Sequence, residues 1–146
     1  MSQDTSSLND VEIRLVDAWN VEEIAGLYRA AGWWKDTYEV AGIGPLMKGS
    51  LAFAVAVDPG TGLLAGMGRA ISDGVSDAYI QDLVVLPRYR RGGVGRRLVT
   101  TLVNACHARG VLWIGLIAEP GSASFYESLG FRVMPGHVPM IYSRQD

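Results

Sequence analysis

Cysteine is almost absent from this chain of 146 residues, which contains only Cys106. A single cysteine excludes an internal disulfide and disfavours a cysteine-based metal site. Cys106 follows Val99, Leu102 and Val103 at helical spacing, which favours a small core residue over a reactive thiol. No metal cofactor is therefore expected.

Long apolar runs and a strong net charge are also missing. No apolar stretch approaches the roughly 20 residues that cross a bilayer, so no membrane partner is expected. The formal net charge of -2 disfavours nucleic acid as a partner. Residues 1–10 are polar and slightly acidic, unlike a signal peptide, and are expected to form a disordered tail. These absences predict a cytoplasmic protein.

The chain does contain the patterns of one globular domain, expected over residues 11–146, with 49% apolar and 19% charged residues. Several antiparallel strands and one strand-helix-strand crossover predict a mixed α+β fold. The fifth strand is apolar throughout and is expected to be buried on both faces. Strands are predicted at 11–17, 51–57, 63–72, 77–86, 111–118, 131–134 and 140–142, and helices at 20–32, 36–47, 93–109 and 121–129.

The most informative stretch is residues 80–98, where an apolar strand leads through an arginine-rich turn into an amphipathic helix that glycines open. A helix N-terminus offers unpaired amides and partial positive charge, and glycine lets the main chain approach an anion. The stretch therefore predicts a phosphate site. A Walker loop does not fit because residues 80–98 contain no lysine. A dinucleotide loop does not fit because Leu98 stands where its last glycine should be.

The spacing R-x-x-G-x-G, formed by Arg90, Gly93 and Gly95, resembles the pyrophosphate loop of the GNAT N-acetyltransferase superfamily. The preceding Leu-Val-Val-x-Pro and the downstream Phe-Tyr-Glu-Ser-Leu-Gly-Phe at 125–131 resemble two further family motifs, in the family's order. The likeness is close over residues 76–134. It implies a mostly antiparallel twisted sheet of about six to seven strands, splayed between strands 4 and 5 and flanked by about four helices.

The resemblance also implies acetyl-CoA as the co-substrate. Its pantetheine arm would lie along the fourth strand as an added strand does, where a β-bulge near Asp82 and Leu83 would free main-chain groups. Arginines crowded at the loop would repel one another without an anion, which favours a phosphate there. The residues expected to bind the donor are Leu83, Val84, Val85, Arg90, Arg91, Gly92, Gly93, Val94, Gly95, Arg96, Ser122 and Phe125.

Tyr126 stands where the family carries its phenol acid, so the resemblance implies that it protonates the departing thiolate. An amide at Leu83 or Val84 would stabilise the negative carbonyl oxygen. The base is open, because the strand position that often holds glutamate is Gln81 here. Asp82 and Glu119 are the candidates, each with a structural role as an equal alternative. His107 and His137 are discounted by their positions.

The acceptor site is the least determined part of the sequence. Four residues are candidates for substrate binding: Trp33, Trp34, Tyr79 and Gln81. Indole faces suit an aromatic ring or a cation, although covering the sheet edge is the favoured reading for at least one of the two tryptophans. The first hypothesis is acetylation of a small primary amine, and the alternatives are a protein lysine or N-terminal amine and a CoA-binding regulatory domain without turnover. Parts of the chain resemble the arylalkylamine- and lysine-acetylating branch of plastids and bacteria, and a homodimer is left open.

Overall fold

A five-stranded sheet organises the protein, whose computed structural model describes residues 10–143. The predicted N-terminal tail therefore lies, apart from Asp10, outside the described residues. The strands are β1 (Glu12–Leu15), β2 (Ala52–Val57), β3 (Leu64–Ser72), β4 (Ala78–Val85) and β5 (Ile114–Gly115). Each strand pairs with its neighbour in chain order, antiparallel from β1 to β4 and parallel between β4 and β5. The mixed α+β class is confirmed.

The helices are α1 (Val21–Ala30), α2 (Ile43–Gly49), α3 (Val94–Ala108) and α4 (Ala123–Glu127), with 3-10 turns at Val40–Gly42 and Pro87–Tyr89. The side chain of Asn20 caps α1 by accepting the amide of Glu23 at 2.9 Å, as the sequence predicts. The helix expected at 36–47 begins later than expected: the 3-10 turn at Val40–Gly42 leads directly into α2, which contains Gly44 and Pro45 in its first turn. Proline is tolerated there because first-turn amides have no partner within the helix.

The two faces of the sheet carry side chains of different size. On one face Phe53, Val55 and Met67 pack with Ile24 and other residues of α1 and α2 in the main hydrophobic cluster. On the other face the strands present alanine and glycine, and α3 lies against them through Leu98 and Leu102. Small residues on this face let α3 approach closely, which places its N-terminus beside the end of β4.

The described residues divide into two compact units, one ending at Gly115 and the other starting at Leu116. The first holds the whole sheet, and the second holds α4 with the segments around it.

The expectation of six to seven strands is wrong. Between residues 10 and 143 the sheet has five, and no strand forms at 131–134 or 140–142. The fifth strand is also shorter than expected, since Val111 still closes the helix by donating to the carbonyl of Cys106. Nor is it buried on both faces, because Leu112 is 78% exposed. Apolar content predicted these strands, but a strand also needs a neighbour to pair with.

Candidate active site

A β-bulge interrupts the pairing of β3 with β4 at Asp82 and Leu83, where the family resemblance implies one. Met67 pairs with Val84 and Arg69 with Gln81, so two steps along β3 span three along β4. The extra residue is accommodated by Asp82, whose φ of 59° lies in the left-handed region. A bulge of this kind bends the strand and redirects its groups.

Beyond the bulge, the main-chain groups of β4 face alternately toward β3 and away from it. The amide of Leu86 donates to Ala65 on β3 at 2.8 Å, and the carbonyl of Val84 is close to Gly66 of β3. Leu83 and Val85 therefore turn their main-chain groups to the opposite edge. Of the two amides predicted to stabilise the carbonyl oxygen, alternation leaves that of Leu83 on the open edge and turns that of Val84 toward β3.

The open edge exists because β5 pairs with β4 only briefly. Their register joins Ala78 to Ile114 and Tyr79 to Gly115 and ends there. The later part of β4 consequently has a strand on one side only among residues 10–115. The early end of this pairing agrees with the splay between strands 4 and 5 that the family resemblance implies.

Asp82 is held by two donors on one oxygen. Its Oδ2 accepts the hydroxyl of Tyr28 at 2.7 Å and Nε of Arg69 at 2.6 Å. Burial, with the charge of Asp82, raises the pKa of Tyr28, so the phenol remains a donor. The carboxylate thus ties the bulge to α1 and to β3.

The loop from β4 to α3 has the geometry of an anion site. Arg91 and Gly93 both have left-handed backbone angles, with φ of 69° and 79°, and Gly93 is the N-cap of α3. Successive amides in such a conformation form a concave nest for an anion, next to the positive end of the helix dipole. Arg90 folds back over the loop, where its Nε donates to the carbonyl of Val85 at 3.0 Å.

A cleft of about 280 Å³ lies beside the open edge of β4. Its wall is formed by the end of α1, the end of β4 and the start of the loop. The lining residues are Ala30, Ala31, Trp33, Leu83, Val84, Val85, Leu86, Pro87 and Arg90. The cleft therefore joins the predicted thioester strand to the predicted phosphate loop, and Trp33 is the candidate acceptor residue that lines it.

The other candidate acceptor residues lie elsewhere. Trp34 packs edge-on against Tyr38, with ring centroids 5.6 Å apart, and the guanidinium of Arg29 lies 5.2 Å from its ring. Tyr79 is exposed and packs on Trp113 near β5, and neither Tyr79 nor Gln81 is among the residues that line the cleft.

Tyr126 lies on α4, in the second unit. Its ring packs edge-on against Phe125 and Phe131, with centroids 5.0 and 5.8 Å away. Burial raises the pKa of Tyr126, and the negative charge of Glu119 raises it further, so the phenol is protonated at neutral pH. Ser122 precedes the helix and donates its hydroxyl to the carbonyl of Glu119 at 2.7 Å. The relation of these residues to the cleft stays a prediction.

Two positions important for this geometry are missed by the sequence reasoning. They are Tyr28 and Arg69, neither of which receives a role from the sequence. A charged residue in the otherwise apolar strand LAGMGRAIS indicates a buried partner, because an isolated charge is costly inside a protein. That pattern could have pointed to Asp82.

No helix between residues 10 and 143 is long and apolar enough to cross a bilayer. In the same range, no group of three or more histidine, cysteine, aspartate or glutamate side chains is placed to bind a metal ion.

Comparison with known proteins identifies the family. Residues 49–133, more than half of the chain, match the family model described as an acetyltransferase (GNAT) domain. The chain belongs to the GNAT acetyltransferase family. The GNAT match includes the bulge, the phosphate loop, α3 and the Phe-Tyr segment of α4.

Plant relatives of this GNAT chain are similar over part of their length. GCN5-related N-acetyltransferase 2, chloroplastic, of Arabidopsis thaliana is 33% identical over 133 residues, which cover 80% of this chain and 51% of the relative. Serotonin N-acetyltransferase 2, chloroplastic, of Oryza sativa is 42% identical over 67 residues, 46% of this chain and 34% of the relative. The chain thus spans about half the length of the first and a third of the second. Both are named chloroplastic, and a cytoplasmic location stays a prediction here.

The GNAT fold is also found in a solved structure of similar length. A GNAT family acetyltransferase from Streptococcus pneumoniae TIGR4 superposes with a TM-score of 0.79 at 26% identity, covering 93% of this chain and 99% of that one. The likeness covers nearly the whole of both chains.

Proposed function

We propose that this protein is an acetyl-CoA-dependent N-acetyltransferase that acts on the primary amine of a small molecule. The observation that carries the proposal is the open edge of β4, which runs from the bulge at Asp82 to a nest of amides at the start of α3. An extended chain ending in a diphosphate matches both parts of this surface. Family membership gives the same reaction class.

The residues present fit such a donor. At Gly93 an added Cβ would meet no atom within 4 Å, so the space next to this residue is open. Arg90 lines the cleft at the loop, and exposed Arg91 adds a positive charge. In this proposal the amides of residues 91–95 hold the diphosphate, and the groups of Leu83 and Val85 hold the pantetheine arm.

Acetyl-CoA supplies the acetyl group as a thioester. The Leu83 amide is assigned to the carbonyl oxygen, where it stabilises developing negative charge. The hydroxyl of Tyr126 is assigned to the leaving sulfur as proton donor, a role that its raised pKa permits at neutral pH.

The residue that accepts the proton of the amine is Asp82 or Glu119. Both donors to Asp82 bind the same oxygen, Oδ2, which leaves Oδ1 outside these bonds. Asp82→Asn and Arg69→Met separate the two roles of this carboxylate. Asp82→Asn removes the candidate base and also weakens the support of the bulge. Arg69→Met weakens the support of the bulge alone.

An aromatic amine is the first acceptor to test. Trp33 lines the cleft, and a relative that is 42% identical over its match is named a serotonin N-acetyltransferase. An indole wall suits an aromatic ring or an ammonium group.

Release of CoA thiol from acetyl-CoA, measured across an amine panel, tests the proposal. The panel contains serotonin and other arylalkylamines, polyamines, an aminoglycoside, and peptides with a lysine or a free N-terminus. Faster release with a small amine, confirmed by mass spectrometry of the acetylated product, supports it. Release with peptides alone would replace the small molecule by a protein amine. Saturable CoA binding without release by any acceptor would indicate a regulatory domain.

A further inference from the structure

Asp58 is a buried carboxylate that the proposed mechanism does not use. It is 1% exposed, and it is the one buried charged residue between residues 10 and 143. Its Oδ1 accepts the amide of Gly60 at 2.8 Å, and its Oδ2 accepts the hydroxyl of Tyr89 at 2.6 Å. A buried charge needs such donors, because its desolvation is otherwise uncompensated.

Tyr89 ends the 3-10 turn that connects β4 to the phosphate loop. It is 5% exposed, whereas Arg90 and Arg91 after it are exposed, and Val94 at the start of α3 is buried again at 1%. The loop is therefore held between two buried side chains, Tyr89 before it and Val94 after it. Of these two, only Tyr89 is fixed by a directional bond.

The bond between Tyr89 and Asp58 is charge-assisted. The hydroxyl of Tyr89 and the amide of Gly60 lower the pKa of Asp58, so the carboxylate is ionised at neutral pH. Burial, with the bond to Asp58, raises the pKa of Tyr89, so the phenol keeps its proton. A hydrogen bond to an ionised acceptor is stronger and more directional than a neutral one.

We propose that Tyr89 and Asp58 are positioning residues that set the phosphate loop in its donor-binding conformation from the turn between β2 and β3. The inference rests on the proposed function. Asp58 is fixed by its own turn, in which its carbonyl accepts the amide of Gly62 at 2.7 Å and its amide donates to Leu63 at 2.9 Å. The bond from Tyr89 to this rigid turn therefore determines the position of Arg90 and of the amides that follow it.

The proposal makes a selective claim about donors. Acetyl-pantetheine carries the thioester and the arm but no diphosphate. Loosening the loop should therefore weaken the use of acetyl-CoA and leave the use of acetyl-pantetheine unchanged. General damage to the fold would impair both donors equally.

The test compares Tyr89→Phe with Tyr142→Phe, which removes the hydroxyl of an 89% exposed tyrosine. Calorimetry gives the Kd for CoA, and kinetics give kcat and KM for both donors. We expect Tyr89→Phe to raise the Kd for CoA and the KM for acetyl-CoA about fivefold, with kcat unchanged, because one hydrogen bond to a buried charge is lost. Acetyl-pantetheine and the Tyr142→Phe control should behave as in the wild type.

Asp58→Asn is the second variant, because its amide can still bond to the Tyr89 hydroxyl. We expect a smaller loss, again confined to acetyl-CoA. Equal losses for the two donors, or unchanged CoA affinity in a folded Tyr89→Phe protein, would overturn the inference. If Tyr89→Phe does not fold, the same comparison in Asp58→Asn decides. Failure of the wild type to bind CoA would instead reject the proposed function, and the inference with it.

Discussion

Arg69 and Asp82 form an ion pair between β3 and β4 at the bulge where the two strands change register, with Nε 2.6 Å from Oδ2. The side chains are 17% and 21% exposed, so the pair is largely shielded from water. Tyr28 adds a hydrogen bond from α1 to the same oxygen. The bulge is thus held from two directions.

Replacing Arg69 should destabilise the protein. Arg69→Met keeps the length of the side chain but leaves the Asp82 carboxylate with Tyr28 alone, and we expect the free energy of unfolding to fall by about 1–3 kcal/mol. Denaturant titration measures this change. Arg14→Met is the matched control, because its pair with Glu12 is exposed and should contribute nothing measurable. Equal stability of the two variants would show that the bulge does not depend on the pair.

Gly66 should not tolerate a side chain. A Cβ there would be in steric conflict with the carbonyl oxygen of Val84 and would lie 3.2 Å from Cα of Val85, both backbone atoms that cannot turn aside. We expect Gly66→Ala to cost about 1–3 kcal/mol of stability through backbone shifts. In Gly26→Ala the new methyl group meets no atom within 4 Å, and helix propensity should add about 0.5–1 kcal/mol. Thermal melts of both variants, with opposite signs expected, check the argument.

Gly93 allows charge to be tested separately from backbone strain. Gly93→Asp and Gly93→Asn impose a similar strain at a φ of 79°, and asparagine tolerates this conformation better than most residues. Only the aspartate brings a negative charge to the predicted diphosphate site. We expect the Kd for CoA to rise further in the aspartate variant than in the asparagine variant. The difference between the two Kd values should become smaller at high salt. An equal Kd for CoA in the two variants would contradict the assignment of the diphosphate to this loop.

The proton donor can be tested by substitution and by pH. Tyr126→Phe should lower kcat about tenfold, with little change in acetyl-CoA affinity, because only the transition state loses a proton donor. A kcat equal to the wild type's would exclude the acid role.

The pKa of Tyr126 is raised above its usual value of 10.0, so activity that depends on the protonated phenol should persist beyond pH 10.0. Glu119→Gln removes one cause of the shift and should move this alkaline limb to lower pH. A pH–rate profile at saturating donor measures the alkaline limb of the wild type and that of Glu119→Gln. An alkaline limb at the same pH in both proteins would contradict the assignment of Tyr126 as the proton donor.

The sequence predicts the centre of this fold well and its C-terminal part poorly. The strand, loop and helix around Gly93 carry local patterns, namely apolar periodicity and glycine at a left-handed position, which are legible without tertiary contacts. The bulge at Asp82 comes from the family resemblance. The strands expected at 131–134 and 140–142 rest on apolar content alone, which does not specify a pairing partner.

The links between distant residues could not be read from the chain. Asp58 and Tyr89 are 31 positions apart and Tyr28 and Asp82 are 54 apart, and one sequence does not show which polar residues meet in the core. Asp58 belongs to an Asp-Pro-Gly segment that predicts a turn, and the turn is present. Its bond to Tyr89 depends on how β3 and β4 fold back along β2.

The extra residue in β4 resets the odd–even count of the strand. Before position 82, odd-numbered residues pair with odd-numbered residues of β3, as Gln81 does with Arg69, whereas after it even pairs with odd, as Val84 does with Met67. Deletion of Asp82 would therefore leave Val84 paired with Met67 and give β4 one unbroken odd–even count and a straight edge, while leaving every glycine of the loop in place. Such a protein would keep the sequence signature of its family and lose the irregularity that distinguishes this strand from an ordinary one.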